Sequence, residues 1–219
     1  MKLINKKIIL LSGISLSTLI FCGYVLFDRK IPYSAETNYP IMYSSASFAK
    51  TYDNLEGMYK EAVIVAEVNV QEQRVKQDDS SAQTHSDVII TKLYKGEKNI
   101  KELTIAEIGG PLDLSKTSQL DKPGKGKEPY QGRIVEDTLE GSPTIKKGNK
   151  YIVFLRKNID SNLYTILGSV QGKIKIESNE KLVSTVQSEY IENGNLFFLQ
   201  KKYAGKDKVK LEEDINNVK

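Results

Sequence analysis

The chain has 219 residues and a mass of 24.6 kDa, with 32 Lys and Arg against 28 Asp and Glu, one His, one Cys and no Trp. That size holds one ordinary domain with an appendage and excludes a multidomain enzyme. Hydrophobic residues at 39% and charged ones at 27%, with only 6 Pro and 15 Gly, exclude a disordered, collagenous or disulfide-stapled chain.

Residues 8–27 (IILLSGISLSTLIFCGYVLF) carry no charge. A helix rising about 1.5 Å per residue spans the roughly 30 Å hydrocarbon core over such a length. Lys2, Lys6 and Lys7 precede the tract, while Asp28, Arg29 and Lys30 follow it. The denser positive charge predicts a cytoplasmic N-terminus, residues 1–7, and translocation of everything after Phe27. A cleaved signal peptide shares the charged start, but its apolar stretch runs about 7 to 15 residues and ends in a small-x-small site. Here Tyr33 stands two residues before Ala35, so the tract reads as an uncleaved signal anchor. Cys22 follows bulky Phe21, where a lipoprotein would have a small residue, and reads as a thiol within the membrane tract.

Setting aside the three N-terminal lysines leaves the part from residue 28 almost neutral, so bulk charge gives no reason to expect nucleic acid. That part also lacks cysteine. An exported domain without disulfides, held by its core alone, points to a Gram-positive source.

Residues 28–47 mix Pro, Ser and Tyr without a period and read as a stalk before a domain over 48–200. Phe48, Tyr52, Leu55 and Tyr59 recur at helical spacing, predicting a short helix over 48–62 weakened by Gly57, with Ser45 or Ser47 as its N-cap. Alternation then predicts strands at 62–70 (AVIVAEVNV), 87–94 (DVIITKLY) and 102–108 (ELTIAEI), where Glu107 falls in phase with Leu103 and Ile105. Residues 71–83 read as a polar turn. The continuous apolar run 151–155 (YIVFL) predicts a central strand, and 163–167 and 173–176 complete the set. A short helix is expected over 182–187, a strand over 196–199, and a frayed charged tail over 201–219. Strands separated by turns, without intervening helical periods, predict a mainly β (α+β) fold: a small antiparallel barrel or sandwich with one or two short flanking helices.

Lys95-Gly96 after the second strand, Gly109-Gly110 after the third, and Lys147-Gly148 leading to Tyr151 carry a resemblance over roughly residues 60–176. The pattern resembles a group of exported bacterial domains whose strands pair as an OB-like barrel. The resemblance implies a fold and an extracytoplasmic location. Its marks are turn and core positions, so it carries over no catalytic or binding residue.

Composition removes most catalytic chemistries. A sortase needs a thiolate beside a His, and the only thiol is Cys22. A serine triad needs a histidine. The only one, His85, starts a strand with Asp87 two residues on and so on the same face; it reads as a solvated histidine. Ser47-Phe48-Ala49-Lys50 has the S-x-x-K spacing of Ser/Lys hydrolases, without the Lys-Ser/Thr-Gly triplet that accompanies it. Asp78-Asp79 lacks the spaced oxygen ligands of a calcium loop. Gly168 to Lys173 is one residue short of a phosphate loop and reads as a hairpin turn. No cofactor and no metal are expected.

The insertion 109–150 is long for a compact domain, and such loops are functional or disordered. Lys116, Lys122, Lys125, Lys127 and Arg133, with Tyr130 nearby, form a basic flank suited to an anionic wall polymer or an acidic patch on an envelope protein. The chain therefore reads as a single-pass cell-membrane protein, not an enzyme, that displays an extracellular binding or assembly-accessory domain in the cell envelope. The alternatives are a membrane-anchored Ser/Lys hydrolase and a lipoprotein or cleaved secreted form of the same domain.

Overall fold

The computed structural model describes residues 39–118, 134–186, 188–191 and 196–219. In chain order the elements are β1 (Ile41–Ser44), α1 (Leu55–Glu61), β2 (Ile64–Gln77), β3 (Ala82–Lys95), β4 (Glu102–Ile108), β5 (Gly110–Asp113), a 3-10 turn (Leu114–Lys116) and β6 (Ile134–Leu139). There follow β7 (Lys150–Lys157), β8 (Leu163–Ile166), β9 (Lys173–Ile176), β10 (Leu182–Val183), α2 (Ser188–Ile191), α3 (Phe198–Tyr203) and α4 (Lys208–Asn217). The membrane tract expected over 8–27 lies outside the described residues, among which no helix is long and apolar enough to cross a membrane.

Five strands close a barrel in the order β2-β3-β4-β8-β7 and back to β2. All neighbours run antiparallel except β4 and β8, which are parallel from Thr104 beside Leu163 to Ala106 beside Thr165. The other edge of β7 is shared, its end meeting β8 and its start meeting β9, which in turn holds β10. Inside the barrel pack Ile64, Ala66, Val68, Val88, Leu103, Ile105, Tyr151, Val153 and Leu155.

The outer side of β2 and β7 has its own core. Val65, Ile152 and Phe154 lie under Met58 and Tyr59 of α1, Leu199 and Tyr203 of α3, and Leu211 and Ile215 of α4. Burial on both faces explains why β7 is apolar at five consecutive positions rather than alternating. Polar contacts fasten α4 to the hairpin beneath: Glu212 accepts from Lys92 Nζ at 2.8 Å and from Tyr94 Oη at 2.6 Å, while Lys208 Nζ pairs with Glu67 at 2.9 Å.

A three-stranded sheet, β1-β6-β5, packs against the far half of the β2–β3 hairpin, with Met42, Leu112, Leu114 and Val135 against Ala82. Gly109 N donates to Ala82 O at 2.7 Å, and Ala82 N donates to Asp137 Oδ2 at 3.2 Å.

Several expectations are corrected. The polar stretch 71–83 is mostly strand, because the hairpin runs fourteen residues a side and turns only at 78–81. Of its inward positions Val75 packs, while Gln73 and Gln77 hydrogen-bond instead, Gln73 Nε2 donating to Ser86 Oγ at 2.9 Å and to Ile145 O at 2.6 Å. Residues 41–44, read as stalk, pair with β6. The first helix starts at Leu55; Asn54 caps it by accepting from Gly57 N at 2.8 Å, and neither Ser45 nor Ser47 does so. The segment expected as a helix from Leu182 begins as β10, and the apolar run at 196–199 enters α3. The supposed frayed tail forms the end of α3 and all of α4, whose Leu211 and Ile215 stand one helical turn apart on the buried stripe. Four short α-helices are therefore present among the described residues.

Candidate binding face and the buried charges behind it

Among the described residues, the outer side of β3, β4 and β8 is left open. His85, Asp87 and Ile89 on β3, and Thr104 on β4, face outward because Ser86, Val88, Leu103 and Ile105 beside them face the barrel interior; Ala106, next along that side of β4, is buried. Strand register brings Asp87 beside Glu72 and Thr104, and His85 beside Arg74 and Ala106. The Arg74 guanidinium grips Asp87 with both ends, Nη2 donating to Oδ1 at 2.9 Å and Nη1 to Oδ2. Thr104 Oγ1 donates to the same Oδ1 at 2.7 Å. A groove of about 460 Å³ runs between Gln71, Ile89, Glu102 and Thr104.

The hydrogen bonds from Arg74, with a further one from Thr104, hold the Asp87 carboxyl below the usual Asp range. A depressed folded value contributes stability above the unfolded value of about 3.9, lost as pH falls through the folded value. Arg74→Ala is expected to move Asp87 up toward its ordinary value in a carboxyl NMR titration. The stability loss at neutral pH stays below about 1 kcal/mol, since the pair is half exposed. An unmoved Asp87 titration would show that Thr104 and the strand backbone position it without Arg74. His85 does not bond to Asp87; its Nε2 lies 3.0 Å from Gln83 Oε1. Partial burial, then Lys76 and Arg74, push the imidazole below its ordinary value.

Behind this face the barrel floor holds charge. Lys173 Nζ pairs with Glu107 Oε1 at 2.7 Å and donates to Pro143 O at 2.6 Å, and both side chains are at most 3% exposed. The second oxygen of Glu107 accepts from Ile145 N at 3.0 Å. Lys146 pairs with Glu136, and its backbone N–H donates to Tyr151 Oη at 3.0 Å. Burial pushes the Lys146 amine down, while Glu136 acts against that shift. Asp137 is buried next to Glu136, and burial pushes its carboxyl up despite donors from Ala82 N and Ser44 Oγ. Each carboxylate here has a donor in place, and their arrangement ties β4, β6 and β9 together.

Of the basic insertion residues, Lys116 ends the 3-10 turn, half exposed and 3.6 Å from Asp113. Lys122, Lys125, Lys127, Tyr130 and Arg133 lie outside the described residues. Ser47 and Lys50 sit in an extended segment, not on a helical turn, and Lys50 pairs with Glu61 at 3.1 Å. Among the described residues no group of three His, Cys, Asp or Glu is placed to hold a metal ion. Sequence reasoning passed over Arg74, hidden in the supposed turn, and Lys173, which alternates with Ile174 as any solvated strand residue would. Glu107 did leave a signal, being in phase with two core residues. No protein-family model matches the chain, and no curated protein matches it.

Proposed function

We propose that the chain is a single-pass envelope protein whose exported, OB-like domain binds a partner through the open face of its barrel. The observation carrying this reading is the unequal cover of the barrel. One outer side is sealed by α1, α3 and α4, while among the described residues none of these helices covers the side with Arg74, His85, Asp87, Ile89 and Thr104, where a groove is formed beside Asp87, Ile89 and Thr104. The strand order from β2, with its one parallel closure, supports reading the barrel as OB-like, and in OB barrels the face of the second and third strands is the usual binding surface. These are β3 and β4 here. The face mixes cation, anion and aliphatic side chains and has no Phe, Tyr or Trp between Gln83 and Ile89 or between Glu102 and Ile108, so it suits a protein partner better than stacked bases. Membrane attachment rests on the uncharged tract 8–27 and its lysine flank. The basic insertion remains a second contact region for anionic wall polymer or an acidic protein patch.

A photo-cross-linker placed at Thr104 is expected to capture a discrete partner on intact cells, and one at Lys201 of the covered side is expected to capture none. Equal capture from both sites, or none from Thr104, would refute the open-face reading. External protease should remove a C-terminal tag from intact cells; removal only after lysis would refute export.

A further inference from the structure

The segment between β1 and α1 bridges over a cleft, held down at its two ends. Ala46 N donates to Glu140 Oε1 at 2.7 Å, and Tyr52 exchanges two hydrogen bonds with the buried Gln171 amide, at 2.8 and 2.7 Å. Residues 47–51 between these anchors make no backbone hydrogen bond to other described backbone. Beneath them is a cleft of about 330 Å³, near the lower size limit of small-molecule sites. Phe48, Ile108, Leu139 and Leu167 give it apolar walls, and Lys50 and Arg156 stand at its polar side. Ile108 is 58% exposed at the cleft.

The charges at the cleft are not balanced. Lys50 is matched by Glu61 at 3.1 Å. Arg156 uses only its Nε, which donates to Thr165 Oγ1 at 3.0 Å, and no carboxylate among the described residues lies within ion-pair distance of it. Of the other acids near the segment, Glu140 is already accepting from Tyr43 Oη and Ala46 N, and Asp53 accepts from Asn54 Nδ2 at 2.7 Å. A guanidinium with both Nη groups uncommitted is a two-pronged donor matched to a carboxylate. We propose that this cleft binds a monoanionic carboxylate with a compact apolar body, the acid group on Arg156 and the body against Phe48, Ile108, Leu139 and Leu167. Either the C-terminal residue of a polypeptide or a free branched acid has this chemistry. The cleft adjoins the outer side of β4 through Ile108 but uses none of Arg74, His85, Asp87, Ile89 or Thr104, so it stands or falls independently of the open-face reading.

NMR chemical-shift titration of the full-length chain in zwitterionic detergent tests it, with N-acetyl-leucine, its uncharged amide and 4-methylpentanoate as probes and detergent alone as blank. N-acetyl-leucine should perturb residues 47–52, Ile108 and Arg156 saturably, with a Kd of about 1 mM for so few atoms. The amide, and the Arg156→Ala variant, should bind about tenfold more weakly or worse, with Arg156→Lys between. Ile108→Glu places a competing carboxylate at an exposed position; it should abolish binding while leaving the unfolding midpoint unchanged. Binding of both acids identifies simple carboxylates as ligands, and binding of N-acetyl-leucine alone identifies a polypeptide C-terminus. No saturable shift with either acid, equal binding of the amide, or undiminished binding by Arg156→Ala would overturn the proposal.

Discussion

Lys173→Met should cost the domain about 3 to 5 kcal/mol, a large share of the roughly 5 to 15 kcal/mol that native domains commonly have. The side chain is almost the same length, so packing changes little. What changes is that Glu107, with a side chain 2% exposed, loses its ion-pair partner and Pro143 O loses its donor. Urea unfolding reads the effect as a midpoint shift at unchanged slope. The double variant Lys173→Met, Glu107→Gln should recover much of the loss, because glutamine still accepts from Ile145 N without burying a charge. A single-variant cost under about 1 kcal/mol would show that water reaches Glu107 and that the pair is not sealed as described.

Gly109→Ala is expected to be the most damaging change of a single methyl group, about 3 kcal/mol or more. Gly109 sits at φ 104°, where side chains other than hydrogen are strained, and a Cβ there would stand 2.5 Å from the backbone oxygen of Asp137. That oxygen belongs to the middle of β6, paired on one side with β1 and on the other with β5, so it has nowhere to retreat. Gly148→Ala separates the two causes. It shares the left-handed backbone, φ 79°, but its Cβ would meet nothing within 4 Å, and only the conformational cost of about 1 to 2 kcal/mol applies. Equal losses from the two variants in the same urea experiment would show that contact with Asp137 contributes nothing.

How far residue order alone revealed this molecule depends on what each strand faces. β7 and the barrel halves of β2, β3 and β4 bury aliphatic side chains at regular intervals, and their positions followed from alternation or from a continuous apolar run. The insertion strands did not announce themselves. β6 buries Glu136, Asp137 and Thr138 one after another, satisfying them with Lys146, Ala82 N, Ser44 and Met42 O, so a buried strand has the composition of a loop. The far half of the hairpin is hidden for a related reason: Gln77 stands where an aliphatic residue would be expected, because its amide bonds both backbone groups of Asp113 at 2.9 Å. α4 carries only Leu211 and Ile215 on its buried stripe, too few apolar positions to outweigh the surrounding charge. Gly109-Gly110 and Lys147-Gly148, by contrast, were visible as punctuation, and both glycine sites require positive φ. Of the open face, His85 and Asp87 were seen as neighbours on one side of a strand. Arg74, which holds Asp87, was not, since its own strand had been mistaken for a turn.

The closing of the barrel also sets the order in which the chain can fold. β2 and β3 are adjacent in sequence and can zip from the turn at 78–81, but β2 finds its second neighbour only when Leu155 reaches Ile64. The parallel joint between Thr104 and Leu163 and the pairing of Ile41 with Glu136 are likewise bridged by long loops that must be closed before any contact repays their entropy. Folding in milliseconds to seconds is the normal consequence of so many distant pairings. During synthesis the early hairpin, with Val65 on its unpaired side, therefore waits for β7 and then for α4, whose Lys208 and Glu212 reach back to Glu67, Lys92 and Tyr94. The ten-residue helix α4 is thus a latch supplied late to a hairpin made early, and a nascent chain that has not yet reached it leaves Glu67, Lys92 and Tyr94 without these partners and open to proteolysis.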